Sequence, residues 1–284
     1  MAKALIVGVD SMIGAFVERQ LLECGFEVYG TSRRHTDPRR LYLDLTEDLR
    51  NWEIPEGIDF ACIFAGVTAL RDCEVDPEGS WQVNVVGTSA VIEHLISRGI
   101  YVLFPSSNLV FDGSSKNITE DSKQSPRTEY GRQKLAVERL MTQYLDQGSI
   151  VRLTKVIPPQ FDLFMKWKHD LAAGKTIRPF NDMWLAPISL KFTAQAIKSI
   201  CEQRRTGIFH ISGAQNISYT EAASYIAARI GADTELISPI SGKEMAVDTD
   251  QMPRNAALSA SRIESGVGLL CPNSFDAIKE SLGL

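Results

Sequence analysis

The stretch ALIVGVDSMIGAFVERQLLEC, residues 4–24, decides the fold. Its first four residues are a continuous apolar run of strand length, which is typical of a parallel strand covered on both faces. From Ala15 to Cys24 the apolar residues recur at the spacing of one helix face. The loop between these two segments carries Gly8 and Gly14, with Ser11 midway between them.

A strand, a tight loop and a helix in this order are the context of a dinucleotide-binding fingerprint, in which pyrophosphate meets free N–H groups at the helix N-terminus. Ser11 replaces the middle glycine, which weakens the match, although its small hydroxyl could itself donate a hydrogen bond. A plain strand-to-helix turn is the alternative. The fingerprint predicts cofactor contacts at Gly8, Ser11, Met12, Ile13 and Gly14.

Strand-like and helical patterns alternate from residue 4 to about residue 155. We expect strands at 27–32, 41–45, 59–66, 101–105 and 149–154, and helices at 76–98 and 128–147. This alternation predicts an α/β fold with a Rossmann-type doubly wound parallel sheet. Asn84 falls inside an expected helix although asparagine is a poor helix former, which indicates a packing or hydrogen-bonding role.

Ligands bind such a sheet beyond the carboxyl ends of its strands, where the loop at Gly8 and residues Arg33, Asp44, Gly66 and Ser107 all fall. After the second strand, an acidic residue favours NAD, whereas arginine accommodates the 2′-phosphate of NADP. The chain has Ser32, Arg33 and Arg34 there, so we predict NADP. Alternatively, the surrounding basic cluster (Arg33, Arg34, His35, Arg39, Arg40) is simply part of a solvated loop. Asp44 is expected to hold the adenine amino group.

A second region follows Val156, where Pro158 and Pro159 break the alternation. We expect a helix at 160–173, a helix and a strand at 188–203 and 208–212 that return to the sheet, and a helix at 219–230. The predicted domains are therefore an NADP-binding domain, 1–156 with 187–212, and a small C-terminal substrate-binding lobe, 157–186 with 213–284. A segment with Trp167, Arg178, Asn181 and Trp184 could form a lid over a substrate with apolar and anionic parts, although aromatic residues at helical spacing are more often part of a core.

The strand expected at 101–105 is followed directly by Ser106, Ser107 and Asn108. The next helix carries Tyr130 and Lys134, four residues apart. Side chains with that spacing project from one helix face and can reach a common ligand. A neighbouring ammonium favours the phenolate and would bring proton transfer by Tyr130 into range. Taken alone, this spacing is more often a solvated helix face.

The composition limits which classes of partner and cofactor the protein can have. The 284 residues carry a formal net charge of -5, which argues against a nucleic-acid partner. The five cysteines are odd in number and form no Cys-x-x-Cys pair, and the four histidines lack metal-ligand spacing, so we expect free thiols and no metal. No apolar run has the length of a membrane span, and we expect a cytoplasmic protein without a membrane partner. The oligomeric state stays open, with a homodimer as one option.

Several motifs together resemble the extended short-chain dehydrogenase/reductases, and among them the sugar-nucleotide reductases that act on dTDP-4-dehydrorhamnose. The specific ones are SSNLVFDG at 106–113 and YGRQK at 130–134; the supporting ones are GVDSMIG at 8–14, LDL at 43–45, FAGVT at 64–68, VNVVGT at 83–88, RLTKV at 152–156 and APIS at 186–189. The resemblance covers almost the whole chain, but it is loose from Pro158 to Trp184 and over the last forty or so residues.

The resemblance implies roles for individual residues. Ser107 would polarise the substrate carbonyl, Tyr130 would be the general acid, and Lys134 would lower the tyrosine pKa and bind the nicotinamide ribose. It also implies further cofactor contacts at Leu45, Ala65, Gly66, Val67 and Val156, and substrate contacts at Arg71, Asp72, Ser106 and Asn108. The implied reaction is NADPH-dependent reduction of a 4-keto group on a nucleotide-linked deoxysugar.

Two other functions are compatible with these residues. One is a sugar-nucleotide epimerase or dehydratase that uses the same triad with a tightly held cofactor. The other is a non-catalytic NADP-binding regulatory subunit, for which Ser11 could signal a relaxed cofactor loop; an intact Ser107, Tyr130 and Lys134 argues against it.

Overall fold

A computed structural model describes residues 2–34, 40–50, 52–245 and 252–284. Its strands are β1 (Lys3–Val7), β2 (Glu27–Ser32), β3 (Arg40–Tyr42), β4 (Phe60–Ile63), β5 (Tyr101–Ser107), β6 (Gly148–Leu153), β7 (Val156–Ile157), β8 (Trp184–Leu185), β9 (Ile188–Ser189), β10 (Gly207–Ile211) and β11 (Ile217–Ser218). Its helices are α1 (Met12–Glu23), α2 (Leu70–Val75), α3 (Pro77–Trp81), α4 (Thr88–Ile96), α5 (Glu129–Met141), α6 (Asp162–Ala172), α7 (Leu190–Glu202), α8 (Tyr219–Ile230), α9 (Ser261–Val267) and α10 (Ser274–Ser281).

Seven strands form one parallel sheet in the order β10-β6-β5-β4-β1-β2-β3. The chain builds one half of the sheet outward from β1 and then crosses back to build the other half from β4, so the strand order reverses between these two strands. Such a reversal opens a crevice at the carboxyl ends of the strands. The predicted fold class, a Rossmann-type doubly wound α/β sheet, is confirmed.

Apolar cores cover both faces of the sheet, which explains the continuous apolar runs in β1 and β4. On β1, Ile6 belongs to one core, with residues of α1, α7 and α9. Its neighbour Leu5 belongs to the other, with residues of α4 and α5. The alternation follows from strand geometry, because successive side chains point to opposite faces.

Most predicted elements are present, with three changes near the cavities described below. The helix expected at 76–98 is broken into α3, a π-helical segment at Gln82–Gly87 and α4. The strand expected at 41–45 ends at Tyr42, and Asp44 lies in a turn where its Oδ1 accepts a hydrogen bond from Thr46 N at 2.9 Å. The helix expected at 128–147 ends at Met141 and continues as a short 3-10 turn.

The C-terminal part has an apolar core of its own, built by α6, α8 and α10 around Phe164, Trp167 and Ile226. Ile263 and Val267 of α9 belong instead to the core under the main sheet. The division into a cofactor domain and a substrate lobe stays a prediction. Within the described residues, every helix is too short or too polar to cross a bilayer.

Candidate active site

The loop between β1 and α1 is held against the end of β4. Gly8 has φ +90°, and a Cβ there would come within 2.4 Å of the Ala65 nitrogen, so the close approach of the two backbones requires glycine. Ser11 caps α1: its Oγ accepts from Gly14 N at 3.0 Å and donates to Gly8 O at 2.9 Å. The Ser11 hydroxyl therefore stabilises the loop and helix start.

Two adjoining cavities open at the carboxyl edge of the sheet. We call the first, of about 390 Å³, the loop cavity; its lining includes Gly8, Ser11, Met12, Ser32, Arg33, Asp44, Leu45, Ala65, Gly66 and Val67. The second, of about 420 Å³, is the lobe cavity; its lining includes Ser11, Met12, Ile13, Ala65, Gly66, Val67, Ser106, Ser107, Asn108, Tyr130, Lys134, Val156 and Trp184. Seven residues line both, so the two cavities form one elongated groove.

The basic cluster predicted to recognise NADP separates into residues with different surroundings. Arg33 lines the loop cavity. Arg34 is exposed and is not part of either lining. Arg40 forms a bidentate ion pair with Glu18, and His35 and Arg39 lie outside the described residues. Among the described members of this cluster, Arg33 is therefore the cation that lines the groove.

Asp44 also lines the loop cavity, close to Arg33. Backbone and side-chain hydrogen bonds from Thr46, at 2.9 and 2.8 Å, lower the pKa of Asp44, so its carboxylate is ionised at neutral pH. Across the cavity, the Asp10 carboxylate accepts a hydrogen bond from Ser32 Oγ at 2.6 Å. The pocket thus presents both an ionised acceptor and a guanidinium to a ligand.

Ser107, Tyr130 and Lys134 all line the lobe cavity. Thr128 caps α5 by accepting from Gly131 N at 3.0 Å, which starts the helix so that Tyr130 and Lys134 face the end of β5. The Tyr130 hydroxyl makes no hydrogen bond to a described residue. Ser107 Oγ accepts from Leu109 N at 3.2 Å and lies 3.4 Å from Asn108 Oδ1. Both hydroxyls are therefore available to a ligand in this cavity.

Lys134 is fixed in place by its surroundings. Its Nζ donates to Pro105 O at 2.8 Å and lies 4.6 Å from the centroid of the Phe104 ring and 5.7 Å from that of Tyr130. Burial lowers the pKa of Lys134 to about 8. At pH 7 an ammonium with that pKa is still about 90% protonated, so the cation is present beside Tyr130.

Burial raises the pKa of Tyr130, and the nearby Cys73 thiol acts in the same direction. This differs from the expectation that Lys134 would lower the tyrosine pKa. The physical reason is that removing a phenolate from water is the larger effect in this pocket. Tyr130 accordingly keeps its proton at neutral pH, which is the form that a general acid requires.

Asn84 connects the end of β4 to α5. From the π-helical segment its Oδ1 accepts from Val67 N at 2.7 Å, and its Nδ2 donates to Val67 O at 2.8 Å and to Gln133 Oε1 at 2.7 Å. Gln133 lies between Tyr130 and Lys134 in sequence and is fully buried. The predicted hydrogen-bonding role of Asn84 is confirmed, and through it the floor of the lobe cavity is tied to α5.

The residues predicted to contact substrate have different positions. Ser106 and Trp184 line the lobe cavity, as does Asn108, whose Nδ2 donates to Ala256 O at 3.2 Å. Ser106 is 4% exposed, and its Oγ has no hydrogen-bond partner among the described residues. Arg71 and Asp72 are exposed on α2 and lie outside both linings. Of the predicted cofactor residues, Gly14 and Arg34 are likewise outside the linings.

Sequence reasoning missed part of the lobe-cavity lining, namely Thr68, Thr154, Lys155, Tyr219, Met252, Pro253 and Ala256. Lys155 could have been predicted, because it lies two residues beyond the end of β6 and ligands bind at the carboxyl ends of parallel strands. Tyr219 and Met252 carried none, since only the tertiary fold of the C-terminal part brings them to the sheet.

A family comparison agrees with this geometry: the model for the RmlD substrate binding domain matches residues 2–283. The chain belongs to this family. The resemblance to extended short-chain dehydrogenase/reductases and their dTDP-4-dehydrorhamnose reductases is confirmed, as is the predicted class of NAD(P)-dependent oxidoreductase.

Individual relatives are distant. The probable low-salt glycan biosynthesis reductase Agl14 of Haloferax volcanii is 27% identical, over 96% of this chain and 95% of its own. Methionine adenosyltransferase 2 subunit beta of Xenopus tropicalis is 24% identical, over 99% and 87%. A crystal structure of a hypothetical dTDP-4-dehydrorhamnose reductase from Sulfolobus tokodaii superposes with a TM-score of 0.79 at 26% identity, covering 93% of this chain and 94% of that one.

Proposed function

We propose that this protein uses NADPH to reduce a 4-keto group on a nucleotide-linked deoxysugar, with Tyr130 as the general acid. One observation carries the proposal. In the lobe cavity, Ser107, Tyr130 and Lys134 share a lining with Ser11, Met12 and Ile13 at the start of α1. A carbonyl group placed between the two hydroxyls would therefore lie next to a cofactor bound along the groove.

The groove fits a dinucleotide. The first N–H groups of a helix lack intrahelical acceptors, and Met12 and Ile13 offer theirs at the cavity wall. Glycine at position 8 leaves backbone close to the ligand path, and the loop cavity has Asp44 for an adenine amino group and Arg33 for a 2′-phosphate. When bound, NADPH would supply the hydride for the carbonyl carbon.

The chain's own residues would manage the proton. Tyr130 holds a proton at its hydroxyl because burial raises its pKa, and would give it to the carbonyl oxygen as negative charge develops there. Ser107 would turn its hydroxyl from Asn108 Oδ1, a weak contact at 3.4 Å, to the same oxygen. Lys134, held by Pro105 O, would stabilise the tyrosinate that remains.

The test is Tyr130→Phe, assayed with dTDP-4-dehydrorhamnose and its UDP counterpart. We expect kcat for NADPH oxidation to fall about 10²- to 10⁴-fold, the usual contribution of a general acid, while the Kd for NADPH changes little. Tyr225→Phe is the matched control, because that ring stacks on Phe275 away from both cavities. Unchanged turnover in Tyr130→Phe would show that another group supplies the proton.

A second candidate is a non-catalytic subunit, favoured by the similarity to methionine adenosyltransferase 2 subunit beta over 99% of this chain. The hydroxyls of Ser107 and Tyr130, both available in one cavity beside a fixed lysine, favour the reductase. Co-purification with an unrelated enzyme, together with no turnover of any keto-sugar, would favour the subunit.

A further inference from the structure

Lys155 is a second lysine in the lobe cavity, and the reduction mechanism does not use it. It lies two residues beyond the end of β6, in a backbone held on both sides: Thr154 N donates to Ile211 O at 3.2 Å, and Ile188 N donates to Lys155 O at 3.0 Å. The segment that follows, β7, pairs with β9. The base of the side chain is therefore fixed in the fold.

Among the described residues, no anion pairs with the charged end of Lys155. Its Nζ lies 5.6 Å from the centroid of the Phe161 ring, and no carboxylate among the described residues pairs with it. The surrounding protein lowers the pKa of this ammonium by desolvation. Lys155 is itself exposed, so a ligand in the cavity can reach its ammonium, and a bound anion would provide the opposite charge that the described residues do not.

The rest of the lobe cavity also favours an anion. Its described lining contains Lys134 and Lys155 but neither aspartate nor glutamate. Ser106 lines the same space, and its buried Oγ has no hydrogen-bond partner among the described residues. A negatively charged ligand oxygen would accept a charge-assisted hydrogen bond from Lys155, which is stronger than the bond that a neutral oxygen could accept.

We propose that Lys155 binds a negatively charged oxygen of the substrate and so makes this cavity selective for an anionic ligand. The inference rests on the proposed function, because it assigns the substrate of that same cavity. Two parts of a nucleotide sugar carry such oxygens: the diphosphate, and a carboxylate on the sugar ring. The chemistry at the lysine is the same for both, and the experiment separates them.

The experiment measures binding by titration calorimetry in the presence of NADP⁺. The ligands are UDP, UDP-glucose and UDP-glucuronate, and the same three with thymine in place of uracil. The variants are Lys155→Met, which removes the charge at similar length, and Lys155→Arg, which keeps it. Lys191→Met is the matched control, since Lys191 is exposed on α7 outside both linings. Circular dichroism of each variant checks folding, and Lys155→Gln replaces Lys155→Met if the latter does not fold.

We expect Lys155→Met to bind the relevant ligands about 10- to 100-fold more weakly, with Lys155→Arg and Lys191→Met near the unsubstituted protein. An equal loss of affinity for all ligands identifies the diphosphate as the group that Lys155 binds. A loss of affinity confined to the two glucuronates identifies the sugar carboxylate instead. Equal affinities in Lys155→Met and the unsubstituted protein, or no binding of any ligand by the unsubstituted protein, would overturn the proposal. Lys155-dependent binding without keto-sugar reduction would count against the reductase assignment alone.

Discussion

Arg152, the second-to-last residue of β6, offers the sharpest test of what holds α5 in place. It is fully buried, and its Nε and Nη2 donate to the Glu138 carboxylate at 3.0 and 2.7 Å. Its Nη1 donates to Glu120 O at 3.0 Å and contacts His210 Nε2 at 3.3 Å. Glu138 lies one turn beyond Lys134 and two beyond Tyr130 on the same helix, so this ion pair anchors the helix that carries both.

We expect Arg152→Met to lower the free energy of unfolding by about 3–5 kcal/mol, because it leaves a buried carboxylate without its partner. The Glu138 side chain is 3% exposed and accepts side-chain hydrogen bonds only from Arg152 among the described residues. The double variant Arg152→Met/Glu138→Leu removes both charges and should recover at least about 2 kcal/mol of that loss, since apolar pairs of similar volume replace buried ion pairs well.

Urea denaturation of the two single variants and the double variant measures these energies and their coupling. Lys198→Met is the control: Lys198 pairs with Glu202 at 2.9 Å on the surface of α7, where such a pair contributes about 0.5 kcal/mol or less. A loss below about 1 kcal/mol in Arg152→Met, or strictly additive effects in the double variant, would refute the reasoning.

Three further outcomes follow from the same geometry. Arg33→Ala should weaken NADPH binding about 10-fold or more and leave NADH binding unchanged, because Arg33 faces the loop cavity; an equal effect on both cofactors in fluorescence titrations would contradict this. Since the pKa of Lys134 is lowered to about 8, its ammonium is lost above that pH, and kcat should fall in a pH–rate profile; a flat profile to about pH 10 would argue against a role for the cation. Burial, with Arg152 nearby, lowers the pKa of His210 from 6.5 to about 3. Between these pH values the unfolded state binds a proton that the folded state does not, so the free energy of unfolding decreases as the pH is lowered, by up to about 1.4 kcal/mol per pH unit. His210→Gln should flatten this part of the curve of stability against pH, and an unchanged slope would exclude His210 as its cause.

Several strands could be predicted from sequence because burial on both faces favours apolar residues in succession. Ala4 to Val7 is one such run, and the cofactor loop follows from Gly8 and Gly14 directly after it. The helix bearing Tyr130 and Lys134 could also be predicted, since Thr128 gives it a recognisable N-cap. Local signals thus predicted the edge of the sheet where the groove opens.

The π-helical segment at Gln82–Gly87 could not be read in the same way. Its sequence, QVNVVG, is compatible with an ordinary helix. Within it, the Asn84 side chain bonds to Val67 and Gln133, which are 17 and 49 residues away in the sequence. Arg71 and Asp72 show the opposite case, since the resemblance suggested substrate contacts but α2 exposes both side chains outside the described cavity linings.

The two lysines of the lobe cavity differ in what supports them, and that difference indicates where substrate preference is encoded. Lys134 is fixed by Pro105 O and by the Phe104 ring, both contributed by β5 of the main sheet. The Lys155 ammonium lies over the ring of Phe161, the residue before α6 in the C-terminal part. It has no hydrogen-bond acceptor among the described residues. A cation already bound to the scaffold suits a step common to many substrates, whereas a cation without a partner among the described residues can take one from the ligand. Changes of substrate should therefore follow changes at Lys155 and the residues packed around it, while changes at Lys134 should affect turnover of every substrate alike.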